Sequence, residues 1–228
     1  MFITNHLSSR VIILGVLFLS IFTIKINPDS SHKKMWTKIA DKTYLLPEDK
    51  FPEDGIRFSS LRYRYRILHN GLLSQKKPST PDVLNEVKLG SNEDLVEGLF
   101  CFESERGLLM LVFFGDSLSG DTSIQLISEE PFSKKWQSRI PAFNIGEPLF
   151  QSKWVFISGC NFLGKINIDT GRFEWKIEGL PLGEHFNSFE KPYIRDGYVF
   201  FYEKARSGVP RYRVRVSSKT GEYTILKK

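Results

Sequence analysis

The sequence predicts an all-β domain built from repeats of one small sheet, and three observations carry that prediction. "LRYRYRI" (61–67) and "RYRVRV" (211–216) alternate strictly, with tyrosines and aliphatic residues on one face and arginines on the other. Only three alanines stand beside 19 phenylalanines and 8 tyrosines, a balance that favours strands over helices. A Val-Phe pair followed by Phe or Ile recurs at 112–114, 155–157 and 199–201, at spacings of 43 and 44. The chain has 228 residues, 41% hydrophobic and 25% charged, enough for one substantial domain or two small ones.

Taken in order, the chain begins with an uncharged run of 14 residues, "VIILGVLFLSIFTI" (11–24), after Arg10. A spanning helix usually needs about 20 apolar residues and a signal-peptide core about 7–15. No small-x-small cleavage site follows, so residues 1–26 read as a signal peptide or a short membrane anchor, with Lys25 snorkelling in the second case. Lys25, Lys33, Lys34 and Lys38 after the run oppose export by the positive-inside rule. An apolar N-terminal run ahead of a globular domain argues for it. The expected location is therefore periplasmic or otherwise extracytoplasmic, with a single N-terminal membrane segment if residues 11–26 are retained. Residues 27–60 are polar, carry Pro28, Pro47 and Pro52, and read as a tether into a repeat domain at 61–228. Residues 69–98, rich in Asn, Gly, Ser and Pro, read as a long connection with a short helix at 82–88.

A second landmark travels with the Val-Phe pair. Ile127 precedes Trp136 by nine residues, Ile166 precedes Trp175 by nine, and Val216 precedes Ile225 by nine. Pro148 and Pro192 each lie seven residues ahead of Val155 and Val199. Each unit thus reads as strand, variable loop, strand, tight turn, strand. Asp169-Thr170-Gly171 and Lys219-Thr220-Gly221 supply turns whose glycine accepts positive φ. These features resemble the PQQ-like (quinoprotein-type) β-propeller repeat, with its T-G-x-x-x-W strand-turn-strand signature. Trp175 matches the signature, and Trp136 matches by register although its turn, "SEEPF", departs from the pattern. Ile225 stands in place of the last Trp, and Asn167 and Ser217 stand where the family usually has Asp. The resemblance covers about 105–228 and implies four-stranded blades stacked side by side, with the Trp packed between neighbours. At about 44 residues per blade, residues 50–228 hold about four units, the first of them divergent or absent and the ring complete or incomplete. A β-sandwich or an open meander is the alternative architecture.

"LLMLVFFGDSLSGDTS" (108–123) raises a separate possibility, because Gly115-Asp116-Ser117-Leu118 resembles the nucleophile block of the GDSL esterases. That resemblance implies an α/β fold, Ser117 as nucleophile, a Gly-x-Asn block and an Asp-x-x-His base. Gly159-Cys160-Asn161 fits the second block, but His185 has Leu182 where the family's Asp belongs. Repeat register also puts "GDSLSGD" in the same loop as "SGCNFLG" and "YEKARSGVPR", where Gly, Ser and Asp are ordinary turn formers.

The net charge is +6, from 32 basic and 26 acidic side chains; setting aside Arg10 and Lys25 in residues 1–26 leaves 30 against 26, or +4. That is too little to argue for nucleic acid, and a protein partner is expected instead. Cys101 and Cys160 suit either one disulfide or two free thiols. No Cys/His spacing suits a metal, and the resemblance carries architecture without its cofactor, so none is expected. The two arginine combs read as solvated strand faces that block edge pairing, or as a polyanion- or acid-binding stripe. Register gathers the variable loops at one end, displaying Asp116, Ser117, Asp121, Asn161, Lys204, Arg206 and Arg211 as candidate partner-binding residues. The expected function is a non-enzymatic interaction scaffold of the cell envelope. An immunity protein neutralising a secreted toxin and a serine esterase using Ser117 are the alternatives.

Overall fold

A computed structural model describes residues 36–43, 51–79, 85–91, 95–114, 121–182, 189–204 and 212–227. These residues form strands and turns and contain no helix. The first strand, β1 (Thr37–Thr43), precedes a four-stranded sheet of β2 (Ile56–Ser59), β3 (Arg64–Ile67), β4 (Leu72–Lys76) and β5 (Asn85–Lys88), which is blade 1. Blade 2 holds β6 (Val96–Ser104), β7 (Gly107–Phe114), β8 (Asp121–Glu129) and β9 (Phe132–Pro141), with β1 added along β6 as a fifth strand. Blade 3 is β10 (Leu149–Gln151), β11 (Trp154–Gly159), β12 (Phe162–Asn167) and β13 (Phe173–Glu178). Blade 4 is β14 (Tyr193–Arg195), β15 (Tyr198–Tyr202), β16 (Tyr212–Ser217) and β17 (Tyr223–Lys227). Every pairing is antiparallel and, apart from β1 with β6, joins consecutive strands, as expected of propeller-type units.

The predicted boundaries need correction. Residues 37–43 and 56–59, assigned from sequence to the tether, are β1 and β2, and β1 pairs with β6 from Thr37↔Glu103 to Thr43↔Gly98. β1 escapes notice because only Ile39 and Ala40 on it are apolar and packed, so its own pattern is weak and its partner makes it a strand. Residues 69–98 contain β4 and β5, and 85–88, read as helical, are extended. There Ser74 and Gln75 are both buried, on opposite faces of β4, and their polarity hides the alternation. Gln75 Nε2 donates to the Glu129 carbonyl at 3.3 Å and Ser74 Oγ bonds Glu86 at 3.2 Å, which is how they tolerate burial. Residues 1–26 lie outside the described residues; among those described, no helix is long and apolar enough to cross a membrane.

Each blade uses alternate residues for its two neighbours. Val112, Val155 and Val199 of the recurring landmark each face the preceding blade and are fully buried. Phe113 and Phe156, the next residues in the landmark, face the following blade. Three apolar clusters result: blades 1 and 2 share one, blades 2 and 3 a second, blades 3 and 4 a third. Among the described residues no such cluster joins blade 4 to blade 1.

The tryptophans of the repeat lock successive blades. A register shift between Leu126 and Ile127 on β8, and another between Lys165 and Ile166 on β12, turns Trp136 and Trp175 toward the following blade. Trp136 Nε1 donates to the Ile168 carbonyl at 2.8 Å, and Trp175 Nε1 to the Ser218 carbonyl at 3.3 Å. Each ring lies on the glycine of the next blade's turn. A Cβ at Gly171 would sit 2.5 Å from the Trp136 ring, and one at Gly221 would sit 2.9 Å from Trp175. Both glycines also have positive φ, so the Thr-Gly turn is required twice over, by backbone and by neighbour. β17 pairs with β16 without a shift, so Ile225 faces back toward blade 3. The last blade therefore lacks the device that docks a next blade.

Blade 1 has no Trp on β5 and joins blade 2 differently. The hydroxyls of Tyr63 and Tyr65 donate to the carboxylates of Glu130 and Glu129, in the turn between β8 and β9. This accounts for the departure of "SEEPF" from the Thr-Gly signature: that turn receives phenol hydroxyls, and no indole lies over it.

Candidate binding surfaces

Of the seven residues singled out from sequence, Asp116, Ser117, Arg206 and Arg211 lie outside the described residues. Asp121 begins β8, paired with Phe114 on one side and Pro141 on the other. Asn161 is the second residue of a two-residue turn between β11 and β12, with φ of 51°. Asparagine tolerates that left-handed conformation better than most residues. Its Oδ1 is buried without a hydrogen-bond partner among the described residues, and its carbonyl accepts from Leu180 N–H at 3.2 Å. The loop containing it is thus short and tightly held. Cys101 is buried and Cys160 half-buried, and the two are not joined in a disulfide. Burial pushes the Cys101 thiol well above its ordinary value.

Lys204 is exposed and lines a cavity of about 580 Å³ between β1 and blade 2, the connection from β9 to β10, and the segments that flank β14 and β15 of blade 4. Asp41, Phe100, Phe113, Glu147 and Lys191 are among its other walls. Glu147, in the connection from β9 to β10, is its electrostatic centre. Its carboxylate meets Lys191 Nζ at 2.8 Å and Lys38 Nζ at 3.0 Å, and Lys38 also reaches Asp41 at 2.7 Å. The Lys191 hydrogen bond is the largest influence on Glu147 and holds its carboxyl below the usual range; partial burial opposes it and Lys38 reinforces it. Burial works to lower Lys38, but the bonds to Asp41 and Glu147 outweigh it and the ammonium is raised. A depressed carboxylate stabilises the fold above its ordinary pKa, and that contribution is lost as pH falls through its folded value. Glu147→Gln is accordingly expected to cost about 0.5–1 kcal/mol near neutral pH and nothing once the carboxylate is protonated, by urea denaturation of both proteins across pH.

Among the described residues, blades 1 and 4 each have one face that packs on no other blade. On blade 1, β3 places Arg64 and Arg66 outward, and strand pairing sets Arg57, Lys76 and Lys88 on the same face, with Glu86 as the acid among them. On blade 4, Arg213 and Arg215 of β16 point outward beside Phe200 and Tyr202 of β15. The combs therefore sit in the first and last blades, and each aims its arginines away from the clusters that join the blades. Blade 4's outward face is also aromatic. Tyr193 stacks on Phe200 at 5.1 Å and on Tyr202 at 5.5 Å, and the two tyrosine hydroxyls are 2.6 Å apart. Arg215 lies over Tyr198 at 4.8 Å and Arg213 over Tyr202 at 5.2 Å. Sequence reasoning found the arginines but did not single out the aromatics beside them. The signal available was register, since Phe200 occupies the position that Phe113 and Phe156 use to face a following blade.

Comparison with known proteins places this geometry. No protein-family model and no curated protein sequence matches the chain. Among solved structures, a europium-containing methanol dehydrogenase matches with a TM-score of 0.53 at 9% identity, over 75% of this chain and 41% of that one. BamB from Moraxella catarrhalis matches with a TM-score of 0.39 at 13% identity, over 85% of this chain and 68% of that one. A WD40 domain from Neurospora crassa matches with a TM-score of 0.43 at 10% identity, over 86% and 57%. The fold is all-β, of propeller type. The likeness to the dehydrogenase extends to architecture alone, and this chain spans less than half its length. The inter-blade tryptophans agree with the PQQ-like resemblance, whereas the helix-free described residues give no support to the α/β fold that the GDSL tetrapeptide implied.

Proposed function

We propose that this chain is a non-catalytic binding protein, a propeller-type scaffold that engages a protein partner at the extracytoplasmic side of the cell envelope. One observation carries the reading. The outward face of blade 4 repeats positions that are buried between blades elsewhere in the same chain, yet Tyr193, Tyr198 and Leu226 on it are 42%, 39% and 45% exposed. A sheet face with aromatic and arginine side chains in this state has the composition of a protein interface. The apolar run at 11–24 supports the location. The hairpin loops carrying Asp116, Ser117, Asp121, Asn161, Lys204, Arg206 and Arg211 would give the scaffold a second contact region at one end of its blades. The test is affinity capture of the tagged full chain after crosslinking in its own cells. A reproducible stoichiometric protein partner is the expected result, and an empty capture would defeat the reading.

A further inference from the structure

The outward face of blade 4 resembles, at several matching register positions, faces that already hold a neighbouring sheet elsewhere in the molecule. In blade 3, Lys165 lies over Trp154 at 4.1 Å, and its Nζ crosses to blade 4 to bond the Ser218 carbonyl at 2.8 Å, in the turn between β16 and β17. Arg215 over Tyr198 occupies the equivalent register in blade 4, since Phe156↔Lys165 and Phe200↔Arg215 are matching pairs. Between blades 1 and 2, tyrosine hydroxyls receive two adjacent glutamates in the same kind of turn. In both cases the donors of one sheet take up the turn between the third and fourth strands of the next. Blade 4 carries both donor types, tyrosine hydroxyls and cations, and among the described residues no sheet packs on that face.

We infer that the outward face of blade 4 docks an acidic β-turn from the sheet of another protein, with carboxylates on Arg213 and Arg215. Charge complementarity selects this occupant. Blade 1's outward face, with Arg57, Arg64, Arg66, Lys76 and Lys88, is basic as well. It repels blade 4 of its own chain and of a second copy, which opposes both ring closure and head-to-tail assembly. The missing β-bulge at Ile225 also removes the Trp dock that a fifth blade of this repeat would need. Nucleic acid is disfavoured by ring geometry. Tyr193 lies nearly parallel to Phe200 and Tyr202, at 11° and 13°, so these rings cover one another, and guanidinium groups lie over Tyr198 and Tyr202. Stacked bases need open ring faces. What this surface offers is ring edges, hydroxyls and guanidinium N–H groups, which suit carboxylates and carbonyls.

This inference rests on the proposed binding function, and its test separates the two. A photocrosslinking residue, p-benzoylphenylalanine, replaces Leu226 in the full chain, and the crosslinked partner residues are mapped by mass spectrometry. The expected result is attachment beside an acidic β-turn of a protein. Arg213→Glu with Arg215→Glu should cut the yield roughly 30-fold, and Arg64→Glu with Arg66→Glu should leave it unchanged. Reversing the mapped partner acids to lysine should restore capture by the glutamate variant and weaken it for the wild type. Circular dichroism confirms that each variant is folded. Crosslinking to a second copy, to nucleic acid or to nothing, or yields indifferent to Arg213 and Arg215, would overturn the inference. If the tagged chain still captures a partner in those cases, the binding function stands while this surface does not; if it captures none, both fail.

Discussion

Trp175→Ala is expected to lower stability by about 3–5 kcal/mol, the range for removing a buried aromatic from a core. Trp175 is 8% exposed, sits in the cluster that joins blades 3 and 4, and packs obliquely on Phe156 at 6.1 Å. The loss has two parts. Apolar burial disappears from a site whose walls are two separate sheets, so collapse around the cavity requires the blades themselves to shift. The Ser218 carbonyl loses its indole donor and keeps only Lys165 Nζ. Gly221→Ala should reproduce much of the effect from the opposite side, because the added Cβ meets the same ring and the residue sits at φ 78°. In urea, the midpoint should fall for both variants. If blade 4 separates before the rest, the transition should also lose two-state character and its slope should fall. A cost under about 1 kcal/mol for Trp175→Ala would mean that the indole is not what holds the two blades together.

That prediction was within reach of the sequence, and the reason is physical. Trp175 belongs to a repeated device in which an indole and a Thr-Gly turn recur at fixed spacing, so the spacing marks the residue and the PQQ-like resemblance implies its place between blades. Residues without a repeated partner are silent. β1 is a strand because β6 offers it an edge, and nothing in Thr37–Thr43 itself predicts that partner. Ser74 and Gln75 are buried by virtue of hydrogen bonds to Glu86 and the Glu129 carbonyl, which no hydrophobic pattern records. The blade 4 surface was half legible. Alternation places Arg213 and Arg215 on one face, but whether that face meets solvent or another sheet depends on how many blades follow. The same ambiguity applies to Phe200, because in the two preceding units its equivalents are packed against a following blade.

Tyr65→Phe is expected to be the other costly change, at about 2–3 kcal/mol near neutral pH, the range for a hydrogen bond to a charged group. Its partner Glu129 is 8% exposed, and the penalty should depend on pH in a definite direction. Burial raises the Glu129 carboxyl above its ordinary value near 4.5, the Tyr65 hydrogen bond pulls it back down, and Glu103 adds a smaller upward push. Burial and the same bond raise the Tyr65 phenol, which stays protonated throughout the range that matters here. With the folded carboxyl raised, the unfolded chain releases its proton first. Stability therefore declines as pH climbs from the ordinary glutamate value through the folded one. Removing the Tyr65 hydroxyl takes away the one influence that favours the charged form most, so the folded value moves higher and the decline continues further. The variant should lie close to wild type in acid, where Glu129 is neutral in both states, and fall away as the carboxylate forms. Glu129→Gln, still able to accept from the phenol, should flatten the profile. In the double variant, the Tyr65→Phe penalty should shrink to that of a neutral hydrogen bond, a coupling that a double-mutant cycle reads directly. A Tyr65→Phe cost identical in acid and at neutrality would show that no charged carboxylate faces the phenol. A buried phenol–carboxylate bond of this kind is a poor source of net stability compared with apolar packing of the same volume. Its consequence for the fold is selectivity. The Tyr63 and Tyr65 hydroxyls match a hairpin bearing the adjacent pair Glu129 and Glu130, whereas the hairpins of blades 3 and 4 carry Ile168-Asp169 and Ser218-Lys219 at the equivalent positions, so among these three only that of blade 2 offers both phenols a carboxylate.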